Sequence, residues 1–133
     1  MHLFKTIDAC RQWSNKQNST VGFVPTMGAL HMGHLSLVQK SVRACAKTIV
    51  SIYINPAQFS PCEDLEKYPK TLGADLKQLE KINVDAVFLP TNAEMYPNND
   101  VSFKYYNSFF KKLEGVSRPH FFLWRHKSCI KTF

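Results

Sequence analysis

Val21-Gly22-Phe23-Val24-Pro25-Thr26-Met27-Gly28-Ala29-Leu30-His31-Met32-Gly33-His34 is the stretch that decides how this chain folds. It opens as a short apolar run of the kind that forms a buried parallel strand. It then passes through Pro25 and Gly28 and enters a segment with helical spacing. A strand, a glycine-bearing turn and a helix start, in that order, predict a phosphate-sized cradle. Amides at a helix N-terminus have no partner inside the helix, and the helix dipole adds partial positive charge there. His31 and His34 are expected in the first turn, and a spacing of three puts both on one helix face. An anion cradle with two imidazoles over it points to nucleotide chemistry.

Outward from that stretch, strands alternate with helices. Thr6 to Lys16 predicts a helix with Ile7, Cys10 and Trp13 on one side. Val21 to Val24 is the first strand. Leu30 to Ala46 predicts a second helix through Leu30, Leu35, Leu37, Val38, Val42 and Cys45. Thr48 to Ile54 is β-branched and apolar, a strand expected to be buried on both faces. Asn55-Pro56 stops it, and the stretch to Pro69 predicts a loop. Thr71 to Lys81 predicts a helix with Leu72, Leu76, Leu79 and Ile82 inward and its lysines and acids outward. Asp85 to Pro90 is the third strand. Val101 to Tyr105 alternates like an edge strand, and Ser108 to Leu113 fits a short helix ended by Gly115. This order implies a parallel sheet with right-handed crossovers. Ligands in such sheets gather at the carboxyl ends of the strands. The histidine pair, Asn55 to Phe59 and Pro90 to Asn98 all follow such ends.

The 133 residues fit one small domain. The net charge of +7 is unevenly placed. Residues 1–99 carry ten Lys and Arg against eight Asp and Glu, whereas residues 100–133 carry seven against two. No arginine-rich helix or aromatic ribonucleoprotein motif accompanies the excess, so nucleic acid is not an expected partner. No apolar run is long enough to cross a bilayer, so no membrane is expected either. The first residues lack the pattern of a secretory signal. Cys10, Cys45, Cys62 and Cys129 are scattered, as free thiols in a reducing cytoplasm would be.

The residues leave three readings of the histidine pair open. Both can be surface or helix-capping groups. Both can ligate a metal, which needs a third protein ligand that the spacing does not supply. Or both can donate to phosphate oxygens and stabilise charge that builds on phosphorus.

Pro25 to His34 closely resembles the nucleotide-binding motif of the pantoate–β-alanine ligase family, a variant of the HIGH motif of nucleotidylyl-transferring enzymes. The resemblance continues through Ser51-Ile52-Tyr53-Ile54-Asn55-Pro56-Ala57-Gln58-Phe59, Glu63-Asp64-Leu65, Tyr68-Pro69-Lys70-Thr71-Leu72 and Ile82 to Pro97. Glu114-Gly115-Val116-Ser117-Arg118-Pro119 is similar to a further family signature. The resemblance implies an α/β fold, an incomplete Rossmann-like parallel sheet of the HIGH-motif nucleotidylyltransferase type. It implies ATP and Mg²⁺ as cofactors, pantoate and β-alanine as substrates, a pantoyl-adenylate intermediate, and a homodimer. It implies that Met27, Gly28, Ala29, Leu30, His31, Met32, Gly33 and His34 line the ATP site. His34 takes the role of the catalytic histidine, and His31 supports the triphosphate. Gln58 matches the carboxamide that holds pantoate, and Asn55 shapes the same pocket. Arg118 faces an anion or is a solvated loop residue. No residue is assigned to a metal.

After Arg118-Pro119 the family pattern continues with Gly-His-Phe, whereas here His120-Phe121-Phe122 follows. Leu123 to Phe133 matches nothing in that pattern. The reading is therefore a nucleotide-binding domain over residues 1–122 and an anomalous tail over 123–133, read out of frame. The family's second half, with its lysine- and serine-rich loop and second glutamine, is then missing, and little ligase activity is expected of the chain alone. A non-catalytic ATP-binding module and another HIGH-type nucleotidylyltransferase are the alternatives. Sequencing the gene from codon 119 onward tests the tail: the expected result is family-like sequence in a shifted frame. Its absence there refutes the frameshift.

Overall fold

The computed structural model describes residues 1–56, 69 and 71–97. Within them the chain runs β1 (His2–Phe4), α1 (Ile7–Asn15), β2 (Val21–Thr26), α2 (Met32–Ala44), β3 (Lys47–Ile52), α3 (Leu72–Lys81), β4 (Ala86–Phe88) and α4 (Asn92–Met95). The four strands form one sheet in the order β1-β4-β3-β2. Every pairing is parallel, with Phe23 opposite Ile49, Val50 opposite Val87 and Leu3 opposite Val87 across the three ladders. The expected α/β parallel sheet is therefore present.

Strand alternation sorts the core into two layers. Val24, Val50, Ile52 and Val87 face α2 and α3, where Val38 and Leu79, with Leu30 just ahead of α2, complete a buried cluster. Ile49, Tyr53, Ala86 and Phe88 face the other way and meet Cys10 and Met95. β3 lies between β2 and β4, and its residues from Thr48 to Ile52 are buried, as its apolar composition requires. Two successive crossovers, β2-α2-β3 and β3-α3-β4, step the same way across the sheet. Connections of one handedness then put α2 and α3 on the same face.

Several boundaries and faces differ from the sequence reading. β1 was not expected: three residues are too few to show a period, and the strand exists because it pairs with β4. β2 runs on through Pro25 and Thr26. α2 starts at Met32, not at Leu30, because His31 has extended backbone and caps the helix from outside. Leu37 is 58% exposed and Leu72 is 42% exposed, so neither belongs to the inward set. Asp75, read as an outward acid, is 1% exposed. α4 lies within Pro90 to Asn98, the segment after the third strand to which the sequence reading assigned no element. The strand at 101–105, the helix at 108–113 and the 123–133 tail lie outside the described residues.

α2 packs closely on β2 at Gly22. A Cβ there would collide with Ser41 Oγ and come within 3.0 Å of Cys45 Sγ. Ser41 Oγ is held 2.9 Å from Thr48 Oγ1, so it cannot retreat without losing that bond. Gly22→Ala is expected to lower stability by about 1–3 kcal/mol. Gly73→Ala, in α3 with nothing within 4 Å of the new Cβ, is expected to raise it by about 0.5–1 kcal/mol. Thermal or urea unfolding of the two variants checks both signs.

Candidate nucleotide site

The site grows from the end of β2. Thr26 Oγ1 donates to Ser51 O at 2.8 Å and accepts from Gly28 N–H at 3.3 Å, which bends the chain out of the sheet. Gly28 (φ 85°) and Ala29 (φ 50°) then adopt left-handed backbone in succession. A Cβ on Gly28 would also crowd Ile52 Cγ2 at 3.1 Å and Asp75 Oδ2 at 3.3 Å, so glycine is required there. Consecutive left-handed turns point neighbouring amides into one concavity. Here Ala29 N–H and Leu30 N–H donate to Asp75 Oδ2 and Oδ1, both at 2.9 Å. Thr71 Oγ1 donates to Asp75 Oδ2 at 3.1 Å. The sequence reading left the amides of this turn open for a ligand. The structure corrects that: the two at Ala29 and Leu30 are engaged by a carboxylate of the protein itself.

The histidines follow directly. His31 is the N-cap of α2, and its Nδ1 accepts from Gly33 N–H at 3.1 Å. His31 N–H lies 3.5 Å from His34 Nδ1, a long and weak reciprocal contact. The ring centroids are 4.0 Å apart and the planes are inclined at 39°. An imidazole that accepts through Nδ1 keeps its neutral-form proton on Nε2. The contact at His31 thus leaves Nε2–H as its donor, and the weaker contact at His34 favours the same form. Burial lowers the pKa of His34, His31 lowers it further, and Asp75 acts in the opposite sense. His34 is thus a neutral donor at neutral pH. The capping reading holds for His31, and it is compatible with phosphate contact because it uses only Nδ1. Among the described residues no three His, Cys, Asp or Glu side chains gather as a metal-binding set.

Beside this loop lies an open cavity of about 640 Å³, bordered by Met27, Gly28, Ile52, Tyr53, Asp75, Leu89 and Asn92 among others. Apart from Asp75, which α3 contributes, these residues follow or end β2, β3 and β4, so the cavity sits at the carboxyl ends of the strands, where the topology predicts it. Polar ties hold the segments together. Tyr53 hydroxyl donates to Asn92 Oδ1, and Asn55 Nδ2 donates to Tyr96 hydroxyl at 3.2 Å. Burial, and then the neighbouring Tyr96, push the Tyr53 pKa up, so its hydroxyl stays a donor.

The expected site residues divide as follows. Met27 and Gly28 border the cavity. Leu30 is buried in the core, and His31, Met32 and Gly33 are exposed at the start of α2. Asn55 is fully buried and bonded to Tyr96, behind the cavity wall. Gln58 and Arg118 lie outside the described residues. Sequence reasoning missed Asp75, Tyr53 and Asn92. Asp75 carried a usable signal, since a threonine four residues before an acid on a helix places hydroxyl and carboxylate side by side.

A parallel sheet whose carboxyl ends carry a left-handed glycine loop and a histidine-capped helix defines an α/β fold of the nucleotidylyltransferase type. The comparisons narrow this class. The family model described as Pantoate-beta-alanine ligase matches residues 2–131, and the chain belongs to that family. A pantothenate synthetase from Hyphomonas neptunium is 51% identical over 112 residues, 84% of this chain and 38% of that protein. A crystal structure of pantothenate synthetase from Thermus thermophilus aligns with a TM-score of 0.80 at 36% identity, covering 92% of this chain and 44% of that one. The Francisella tularensis pantoate–β-alanine ligase, complexed with beta-gamma ATP and β-alanine, aligns with a TM-score of 0.86 at 34% identity. That alignment covers 99% of this chain and 53% of that one. The chain thus spans between about two fifths and half of the relatives it matches.

The lowered pKa of His34 has a defined stability consequence. A histidine depressed in the folded state favours folding above its unfolded pKa, and that contribution is lost as the pH falls through the folded pKa. NMR titration is expected to place the His34 midpoint below the ordinary value of 6.5. His31→Asn keeps a cap acceptor and removes the neighbouring imidazole, so the midpoint should rise toward 6.5. A His34 midpoint at or above 6.5 in the unaltered chain contradicts this account of the pair.

Proposed function

We propose that this chain supplies the nucleotide-binding part of an enzyme that condenses pantoate with β-alanine to pantothenate. The observation that carries the reading is the histidine-capped helix at the carboxyl ends of a parallel sheet, beside a cavity, in a chain of this family. In the first step a pantoate carboxylate oxygen attacks the α-phosphorus of ATP and pyrophosphate leaves. In the second, the β-alanine amine attacks the acyl carbon of the adenylate, loses a proton, and AMP leaves. Positioning and stabilisation of phosphate charge lower most of the barrier in such chemistry.

The roles are those that the family resemblance implies. The Nε2–H groups of His31 and His34 donate to phosphate oxygens, with His34 at the reacting phosphate and His31 on the triphosphate. Met27 to Gly33 shape the rest of the nucleotide site. Gln58 holds pantoate, Asn55 supports the wall from behind, and Arg118 is assigned to an anion. Mg²⁺ would neutralise the phosphates. The donor set here fits a cation carried by the phosphate oxygens and water, since Asp75 is the only carboxylate bordering the cavity among the described residues and both its oxygens are engaged. We further place the protein in the cytoplasm as a homodimer, with a domain over 1–122 and an anomalous tail over 123–133. No described helix is long and apolar enough to cross a membrane.

Titration with ATP and an assay for pyrophosphate release test the reading together. Saturable ATP binding is expected, and His34→Ala should weaken it by roughly ten- to a hundredfold, as loss of a hydrogen bond to a charged group implies. Pyrophosphate release with pantoate present should fall ~10²-fold or more below that of a full-length relative, because this chain spans only about two fifths to half of the relatives it matches. Normal turnover by the chain alone refutes the partial-site reading. ATP affinity unchanged in His34→Ala refutes the assignment of that histidine.

A further inference from the structure

We propose that Asp75 is a positioning residue for the nucleotide, acting through the backbone of Gly28, Ala29 and Leu30 and not by touching phosphate or cation. The inference rests on the reading that this loop serves a nucleotide. It starts from an anomaly of charge. Two adjacent amides in a left-handed turn make a concavity suited to an external anion. In this protein the anion is internal. Asp75 takes both amides at 2.9 Å, one on each oxygen, and a third hydrogen bond from Thr71. It borders the cavity, yet only 1% of its surface meets solvent.

Three consequences follow. First, the carboxylate holds Ala29 at a positive φ that residues with a side chain avoid. Removing the acceptor removes what keeps the turn in that path. Second, Leu30 immediately precedes the N-cap, so fixing its amide fixes where His31 stands and where α2 begins. Asp75 also acts on the charge state of His34. Third, a carboxylate with three protein donors and almost no exposure is poorly placed to approach a phosphate, whose like charge repels it. Its effect on ligand passes through the loop.

Hydrogen exchange of the unliganded chain gives the first test. The Ala29 and Leu30 amides should be protected before any nucleotide is present, and free exchange at both overturns the inference. Asp75→Asn offers one acceptor where the loop needs two. Exchange at these amides should then quicken by about tenfold or more, and ATP should bind about tenfold more weakly. The loss should be equal with excess Mg²⁺ and with EDTA. Unchanged amides with a loss confined to Mg²⁺ would mean direct contact with the cation and overturn the proposal. Mobile amides with unchanged ATP affinity would make the residue merely structural and overturn it too. If Asp75→Asn does not fold, Thr71→Val replaces it. Oδ2 is shared by Thr71 and Ala29, so the Ala29 amide resonance should shift more than that of Leu30, with a loss of ATP affinity. An unmoved Ala29 resonance overturns the inference. An unaltered chain that fails to bind ATP defeats the nucleotide reading, and amide protection then still reports whether Asp75 holds the loop.

Discussion

One buried carboxylate organises the working end of this molecule. Asp75 stands in the first turn of α3 and reaches the turn that follows β2, two elements 45 residues apart in sequence. Burying an ionised group is costly unless hydrogen bonds replace its water. Asp75 meets that condition with two backbone amides and a hydroxyl. The same bonds let Gly28 and Ala29 keep a backbone path they would otherwise leave. The start of α2, and with it the direction of both imidazoles, depends on this arrangement.

At the start of α2 the histidine cap couples backbone structure to the protonation of the ring. Each has two ring nitrogens, and the local backbone approaches only Nδ1. The nitrogen that remains carries the proton of the neutral ring. The cap thereby selects the tautomer, as second-layer hydrogen bonds do for catalytic histidines generally. The walls of the adjoining cavity use the same economy. Tyr53 and Asn55, from the end of β3, bond to Asn92 and Tyr96 in and beside α4, so segments from two strand ends form one surface.

The strand-turn-helix at 21–34 and the apolar strand around Ile49 were legible because their signals are local. Glycine position, β-branched composition and helical spacing all report on nearby backbone. The sheet's parallel sense, and the gathering of the cavity at its carboxyl ends, followed from the alternation of elements alone. What was not legible depends on partners distant in sequence. β1 is too short to announce itself and exists through β4. Asp75 looked like any first-turn acid, a place where a helix dipole favours an exposed carboxylate. Only the folded chain shows that the amides of residues 29 and 30 lie across from it. Leu37 and Leu72 failed in the opposite direction, since helical spacing put them with the inward set and both stand exposed among the described residues.

The sheet order carries a consequence for how the chain reaches its folded state. The amino-terminal strand lies against β4, and Ile7 N–H donates at 2.7 Å to Glu94 Oε1, a partner 87 residues away. β2, β3 and β4 can assemble from neighbours already made, but β1 has no ladder until residue 88 is available. During synthesis β1 thus precedes the other described strands and is the last of them to gain its ladder. Long-range closure of this kind slows folding and lengthens the exposure of apolar surface. Among the four described strands, the one made earliest waits longest for a partner.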